Sequence, residues 1–399
     1  MNILPKEGFI LFLLTFFLFM TLKFAFSEEV FFVNLKFFMP TQVLSGPGCI
    51  KSNAPLFKTL GTRALIVTGR SSAKKNGSLK DVTDALESVQ IPYAVFDEVD
   101  SNPTIPSVRK GGDSARAFGA DFIVGIGGGS PMDAAKAIAI LASHPDIADD
   151  ALFSLGFDPK KVLPLALVPT TSGTGSEVTQ YSILTNDAAE TKTSIASPSI
   201  FPKLAFLDAA YTQELGLITT RNTALDALSH VVEGMLSNRA GLVSDALALE
   251  AIALIGKTME ALKKGILTPE DREVLLYASC LGGIVIAHTG TTVVHAMGYS
   301  LTYFHDIDHG RANGLLLTAL LRTSCSYAKE TVDAILKAFG ASDIDAFGAL
   351  LDPLMPGKEK LTVQQKDRYA AMAIKAKNVG NMPFPITEAQ IRTMFEESV

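Results

Sequence analysis

Apolar and polar residues change rhythm twice along this chain. From Leu35 the pattern is strand-like, LKFFMPTQVLSG, and closes at Gly46-Pro47-Gly48. RALIVTG (63–69), YAVFDEV (93–99), DFIVGIGGG (121–129), VLPLALVPTT (162–171) and KLAFLD (203–208) are apolar runs of strand length, several ending in glycine. Such runs suit strands buried on both faces of a parallel sheet. Helical spacing lies between them, around Ser78–Ser88 and Ile105–Phe118. Strands alternating with helices predict βαβ units. Beyond Glu214 strand signals become scarce, and residues 219–263, 269–304, 311–339 and 362–378 carry helix-like apolar spacing. The expectation is an α/β domain with a parallel sheet over residues 33–215 and an all-α domain over 216–399, joined near 214–219.

The first 32 residues stand apart. Phe9 to Leu22 is an uncharged apolar run preceded by Lys6, and Ala25 and Ser27 offer a small-residue cleavage site. The run is short for a span of about 20 apolar residues. A secretory signal, a short membrane anchor and an upstream stretch outside the mature protein all fit. The last is the expectation here, with a start near Val33 and a cytoplasmic enzyme. The other two would make it secreted or membrane-anchored.

Composition narrows the class. The 399 residues carry a net charge of -6 and no block of like charge, which offers no basic surface for nucleic acid. Cys49, Cys280 and Cys325 are far apart and form no CxxC pair, against a disulfide framework or a thiolate metal site.

Two polar loops follow strands. Gly127-Gly128-Gly129-Ser130 opens the helix PMDAAKAIAILA, with Pro131 suited to a first turn and Asp133 and Lys136 close behind. Glycines let the backbone approach a pyrophosphate, and free N–H groups at a helix start favour an anion. A tight turn packed on a strand would look the same. No Lys-Ser/Thr follows at the spacing of a Walker motif. The second loop, Pro169 to Glu177 (PTTSGTGSE), is rich in hydroxyls and backbone donors suited to ribose or phosphate. A capped Ser/Thr-rich turn is the plain alternative.

A third constellation is chemical. Asp226 and His230 lie four apart, on one face of a helix. His295 and His309 lie fourteen apart, at the end of a helical run and in HDIDHG. One carboxylate and three imidazoles suit Fe²⁺ or Zn²⁺ with an open position. Any one of these histidines could be a satisfied core or surface residue. Spacing leaves His288 and His305 as rival ligands, and His144, before Pro145, reads as surface.

Taken together, GGGSPMDAAK (127–136), PTTSGTGSEVT (169–179), DALSHVVE (226–233) and HAMGYSLTYFHDIDHGRAN (295–313) resemble the iron-containing (group III) alcohol dehydrogenase family, in its motif order, from about Lys36 to the C-terminus. The resemblance implies the dehydroquinate synthase-like fold: an N-terminal dinucleotide-binding domain, a helical metal domain and a cleft between them. It implies Asp226, His230, His295 and His309 as metal ligands, which settles the rivalry against His288 and His305. It places Gly128, Gly129, Ser130, Asp133, Thr170, Thr171, Thr174 and Lys192 at the cofactor, and it implies a homodimer. The activity implied is hydride transfer between a primary or secondary alcohol, or its aldehyde or ketone, and NAD(P).

Two departures qualify the resemblance. Many relatives carry a histidine four residues after the third metal ligand. Here Tyr299 stands there, a candidate for the proton path but a poor shuttle with a reference pKa near 10. Relatives that prefer NAD often carry an Asp where Gly69 stands. With Gly69, Arg70, Ser71 and Ser72 a 2′-phosphate has room and donors, so NADP is expected over NAD. The alternatives are a polyol- or glycerol-type dehydrogenase, a dehydroquinate synthase-like lyase, and a non-catalytic nucleotide-binding protein.

Overall fold

In the computed structural model, which describes residues 36–399 other than Lys358, the apolar runs of the first half form one parallel sheet. Its strands are β1 (Gln42–Ser45), β2 (Ala64–Gly69), β3 (Tyr93–Val99), β4 (Phe122–Gly127), β5 (Leu165–Pro169) and β8 (Leu204–Leu207), in the order β1-β8-β5-β4-β2-β3. The central strands β4 and β5 are buried at every position, which is why their sequences read as unbroken apolar runs. Alternate residues supply opposite faces. Leu65 and Val67 pack with residues of α2 (Ile105–Phe118) and α3 (Gly129–Ser143). Ala64 and Ile66 pack with Phe57, Phe206 and residues of α1 (Ser78–Ser88).

Two parts of the strand pattern turn out differently. Among the described residues of the strand-like segment, from Lys36 on, only Gln42–Ser45 is a strand, at the sheet edge beside β8. Pro40 cannot donate to a ladder, and β8 itself starts only at Leu204, so the ladder with β8 begins at Gln42. The stretch after the threonine-rich loop forms an antiparallel hairpin, β6 (Tyr181–Asn186) with β7 (Thr191–Ala196), which the apolar pattern does not signal. Half of its strand residues are Ser, Thr or Asn, and Leu184 and Ile195 are buried on the face of the sheet that α2 and α3 cover.

The second half is helical: α4 (Leu217–Met235), α5 (Leu242–Lys264), α6 (Pro269–Thr289), α7 (Val293–His305), α8 (His309–Ser324), α9 (Lys329–Phe339), α10 (Ile344–Leu351), α11 (Val363–Ala373) and α12 (Glu388–Ser398). The long periodic stretches are thus broken. Residues 219–263 part before Gly241, and 269–304 part at Gly290, where α6 and α7 meet at 112°. Among the described residues no single helix is long and apolar enough to cross a membrane. The apolar run of residues 9–22 lies outside the described residues.

The two halves touch backbone to backbone where the threonine-rich loop meets α6. A Cβ on Gly283 would stand 2.4 Å from Gly175 O, and one on Gly175 would stand 2.5 Å from Gly283 Cα. At neighbouring Gly282 an added Cβ would make only ordinary contacts, at 3.5 Å from Ala227 O. Gly283→Ala should therefore destabilise the protein by about 1–3 kcal/mol through overpacking. Gly282→Ala should be neutral or slightly stabilising, since alanine is the better helix former. Urea unfolding midpoints of the two variants check this, and equal midpoints would contradict it.

Candidate active site

Helix α4 presents Asp226 and His230 on one face, and both are almost wholly buried. His295 lies in the first turn of α7, and His309 is the first residue of α8. Helix α8 can enter so close because residue 310 is glycine: a Cβ there would stand 1.9 Å from Asn222 O on α4. Asp226 Oδ1 then lies 4.0 Å from His230 Nε2, 4.0 Å from His295 Nε2 and 3.8 Å from His309 Nε2. Donor atoms of Asp226, His230 and His295 all lie within 4.8 Å of one another.

The far nitrogens explain why the near ones converge. His295 Nδ1 donates to Glu233 Oε2, and His230 Nδ1 donates to Gly173 O at 3.3 Å. Each bond leaves the Nε2 lone pair facing the cluster, the usual way a ligating imidazole is oriented. Burial works to raise the Asp226 pKa, but the interactions around it, the surrounding histidines first and the Asn313 amide after them, outweigh it and shift the group downward. Burial lowers the pKa of His230 and of His309, against the pull of Asp226. On His295 burial acts in the same direction, but Glu233 and Asp226 outweigh it and raise the pKa. One carboxylate with convergent imidazole lone pairs fits a borderline divalent ion such as iron or zinc.

The rival histidines are engaged elsewhere. His305 Nε2 meets the Tyr369 hydroxyl, and His288 lies between Ile284 O and the Phe38 amide. His144 is partly buried rather than a plain surface residue: its ring meets Ile140 O, Ser143 Oγ and the Asp158 amide. Tyr299 lies beside the cluster, stacked on His309 with centroids 5.7 Å apart and planes 12° apart. Burial pushes its hydroxyl pKa further up. Sequence reading passed over Asn313, whose amide reaches three of the four donors, and Glu233. Both stand inside quoted motifs, and Asn313 is one helical turn after His309, the only signal available.

The polar loops lie at the carboxyl ends of β4 and β5. Gly128 and Gly129 pack against Thr171 and Thr174, so the two loops form one surface. Thr170 N donates to Gly127 O at 2.9 Å, and Ser130 Oγ accepts from the Asn102 amide at 3.2 Å. Both Asp133 oxygens are taken within the protein, by Ser176 Oγ at 2.7 Å and Ile183 N at 3.1 Å. Lys192, on β7, donates to Asn102 Oδ1 at 2.8 Å and lines a cavity of about 220 Å³ with Thr104, Thr185, Thr302 and Asp306. Gly69 ends β2, next to Val99.

A parallel sheet with polar loops at its strand ends, joined to a helical half that buries a carboxylate–imidazole cluster, is the arrangement of a metal-assisted dehydrogenase. Comparison with known proteins gives the same class. Residues 40–209 match the family model for iron-containing alcohol dehydrogenase, and residues 220–399 match its Fe-containing C-terminal model. Lactaldehyde reductase of Escherichia coli is 32% identical over 279 residues, 70% of this chain and 72% of that protein. An NADPH-dependent butanol dehydrogenase of Clostridium saccharobutylicum is 30% identical over 76% of this chain and 77% of its own length. The crystal structure of an iron-containing alcohol dehydrogenase from Thermotoga maritima superposes with a TM-score of 0.83 at 40% identity, covering 91% of this chain and 99% of the other. The chain belongs to the iron-containing alcohol dehydrogenase family. It is an oxidoreductase of the alcohol–aldehyde class, and the lyase and polyol alternatives are not favoured.

The threonine-rich loop is held from below by a buried lysine. Lys136 Nζ donates to Ser176 O, Ser176 Oγ, Thr179 Oγ1 and Tyr181 O, all within 3.1 Å. Burial lowers its pKa to about 8, against the pull of Asp133 and Glu177. Burial also raises the pKa of Glu177 to about 7, and its Oε1 has no hydrogen-bond partner among the described residues. A carboxyl raised on folding favours the protonated folded state. The stability it confers is present below the unfolded value of 4.5 and lost as pH rises through about 7. Glu177→Gln, neutral at every pH, should match the parent near pH 5 and melt at a higher temperature than the parent by pH 8. A gap in Tm independent of pH would contradict this.

Proposed function

We propose that this enzyme interconverts a small alcohol and its aldehyde or ketone, with a divalent ion held by Asp226, His230, His295 and His309 and with NADP as the preferred cofactor. The observation that carries the reading is the convergence of those four donors, with two of the imidazoles anchored from behind. An ion held there would supply Lewis acidity at the alcohol or carbonyl oxygen, and a nicotinamide cofactor held at the two polar loops would supply the hydride chemistry. Either iron or zinc suits the donor set.

The chain's own residues do the positioning. Gly128, Gly129, Ser130, Thr170, Thr171 and Thr174 offer backbone and hydroxyl groups for the pyrophosphate and ribose, and Lys192 offers a cation near the cavity it lines. Asp133 shapes this surface by tying α3 to Ser176 and β6. Tyr299 serves as the platform on which His309 rests, since His309 Nδ1 has no hydrogen-bond partner among the described residues to orient it. Its raised pKa speaks against a proton-carrying role.

NADP preference rests on the end of β2. A Cβ on Gly69 would meet Val99 O at 3.5 Å and Pro131 Cγ at 3.9 Å, ordinary contacts that leave the position open. Arg70 is paired with Asp100 at 2.9 Å, but both side chains are about two-thirds exposed. Such pairs contribute little, so Arg70 is free to turn to a 2′-phosphate.

Two measurements test the proposal. His230→Ala should lose bound metal and lower turnover by more than the ~10–100-fold typical of groups behind the ligands, while NADPH binding survives. Retention of full turnover after chelation would refute the metal reading. Gly69→Asp should cut kcat/KM with NADPH by roughly 10-fold or more while sparing NADH, because a carboxylate at this place repels a 2′-phosphate. An unchanged NADPH/NADH ratio would remove the case for NADP.

A further inference from the structure

Asn313 stands one turn after His309 on α8 and is fully buried. Its Nδ2 lies 3.0 Å from Asp226 Oδ1, 3.2 Å from His295 Nε2 and 3.3 Å from His309 Nε2. Its Oδ1 has no hydrogen-bond partner among the described residues and points toward Gly298, where a Cβ would stand 2.3 Å away. The orientation of the carboxamide follows from its neighbours. An amide oxygen turned inward would face a carboxylate oxygen and two imidazole lone pairs, acceptors all, whereas the NH₂ group brings two hydrogens, one for Asp226 Oδ1 and one that an imidazole accepts only while no ion is bound. A buried polar side chain with one end aimed at a donor cluster and the other unpartnered is uncommon.

We infer that Asn313 is a positioning residue of the metal centre that also sets which ions the centre accepts. The inference rests on the four-donor reading above. A carboxylate oxygen has room for an amide hydrogen and a cation together, so Asn313 can hold Asp226 Oδ1 in place while that oxygen ligates. An N–H group cannot ligate. The face of the cluster bounded by Asp226, His295 and His309 is therefore closed to a fifth protein donor, and the set stays at one oxygen and three nitrogens. That composition favours zinc, cobalt or iron over manganese or magnesium, which prefer oxygen-rich sites.

The test titrates metal-stripped protein with Co²⁺ and with Mn²⁺. It follows cobalt d–d absorption and competition with a chelator, and it checks each variant's fold by NADPH fluorescence. Asn313→Leu, similar in shape and without a donor, should bind Co²⁺ about 10- to 100-fold more weakly, the range expected when a group that orients ligands is lost. Asn313→Asp places a second carboxylate oxygen where the amide stood. It should change the cobalt spectrum toward higher coordination and narrow the Co²⁺-over-Mn²⁺ preference by about 10-fold or more. Parental affinity and spectrum in Asn313→Leu, or a parental Co²⁺/Mn²⁺ ratio in Asn313→Asp, would overturn the inference. Should Asn313→Leu fail to bind NADPH, the Asp variant decides alone. If the parent protein itself takes up no Co²⁺, the four-donor reading has failed first, and this inference falls with it.

Discussion

The buried carboxylate of Glu233 is the constraint on which the helical half depends. It is wholly buried on α4, one turn beyond His230, and it carries its charge because His295 outweighs the cost of burial. Its Oε1 accepts from Thr292 N, Thr292 Oγ1 and Val294 N, the unsatisfied donors at the start of α7. Its Oε2 accepts a hydrogen bond from His295 Nδ1. One side chain thus caps a helix, sets its direction after the bend at Gly290, and turns an imidazole toward Asp226. A glutamine could not do this equally well: it would lose the charge that complements the helix start and would offer an NH₂ where an acceptor is needed.

The same economy links the two halves. The loop that carries Thr170, Thr171 and Thr174 also supplies Gly173 O, which orients His230, and Gly175, which abuts α6. The threonine-rich loop and the carboxylate–imidazole cluster are therefore not independent. A shift of the loop would turn His230, and Lys136 under the loop resists such a shift by tying four acceptors to α3. This places a fully buried cation in a structural role behind the two polar loops, a use consistent with its many neutral partners.

Much of this was legible beforehand, and unevenly. Parallel strands buried on both faces announce themselves as apolar runs, so β2, β4 and β5 were plain. The hairpin β6–β7 was not, because its Ser- and Thr-rich residues read as loop until a bridge between Thr104 and Thr185 and the packing of Leu184 and Ile195 make a strand favourable there. Helix breaks before Gly241 and at Gly290 were hidden inside periodic stretches, since a bend keeps the apolar spacing on either side. His144 read as surface because its three polar contacts come partly from Asp158, fourteen residues away.

The local spacing of Asp226 and His230, the glycine and threonine loops after strands, and the order of the motifs are properties of the chain itself. They are set by helical and strand periodicity, which acts over a few residues. Which histidines meet was decided only by tertiary packing. His288, His295, His305 and His309 lie within 22 residues, yet the bend at Gly290 and the close entry of α8 at Gly310 carry two of them to Asp226 and turn the other two toward Phe38 and Tyr369. The place of Asn313 at the donors was settled in the same way, by the angle at which α8 meets α4. No pattern along the chain encodes that angle, because it is the outcome of how three helices pack.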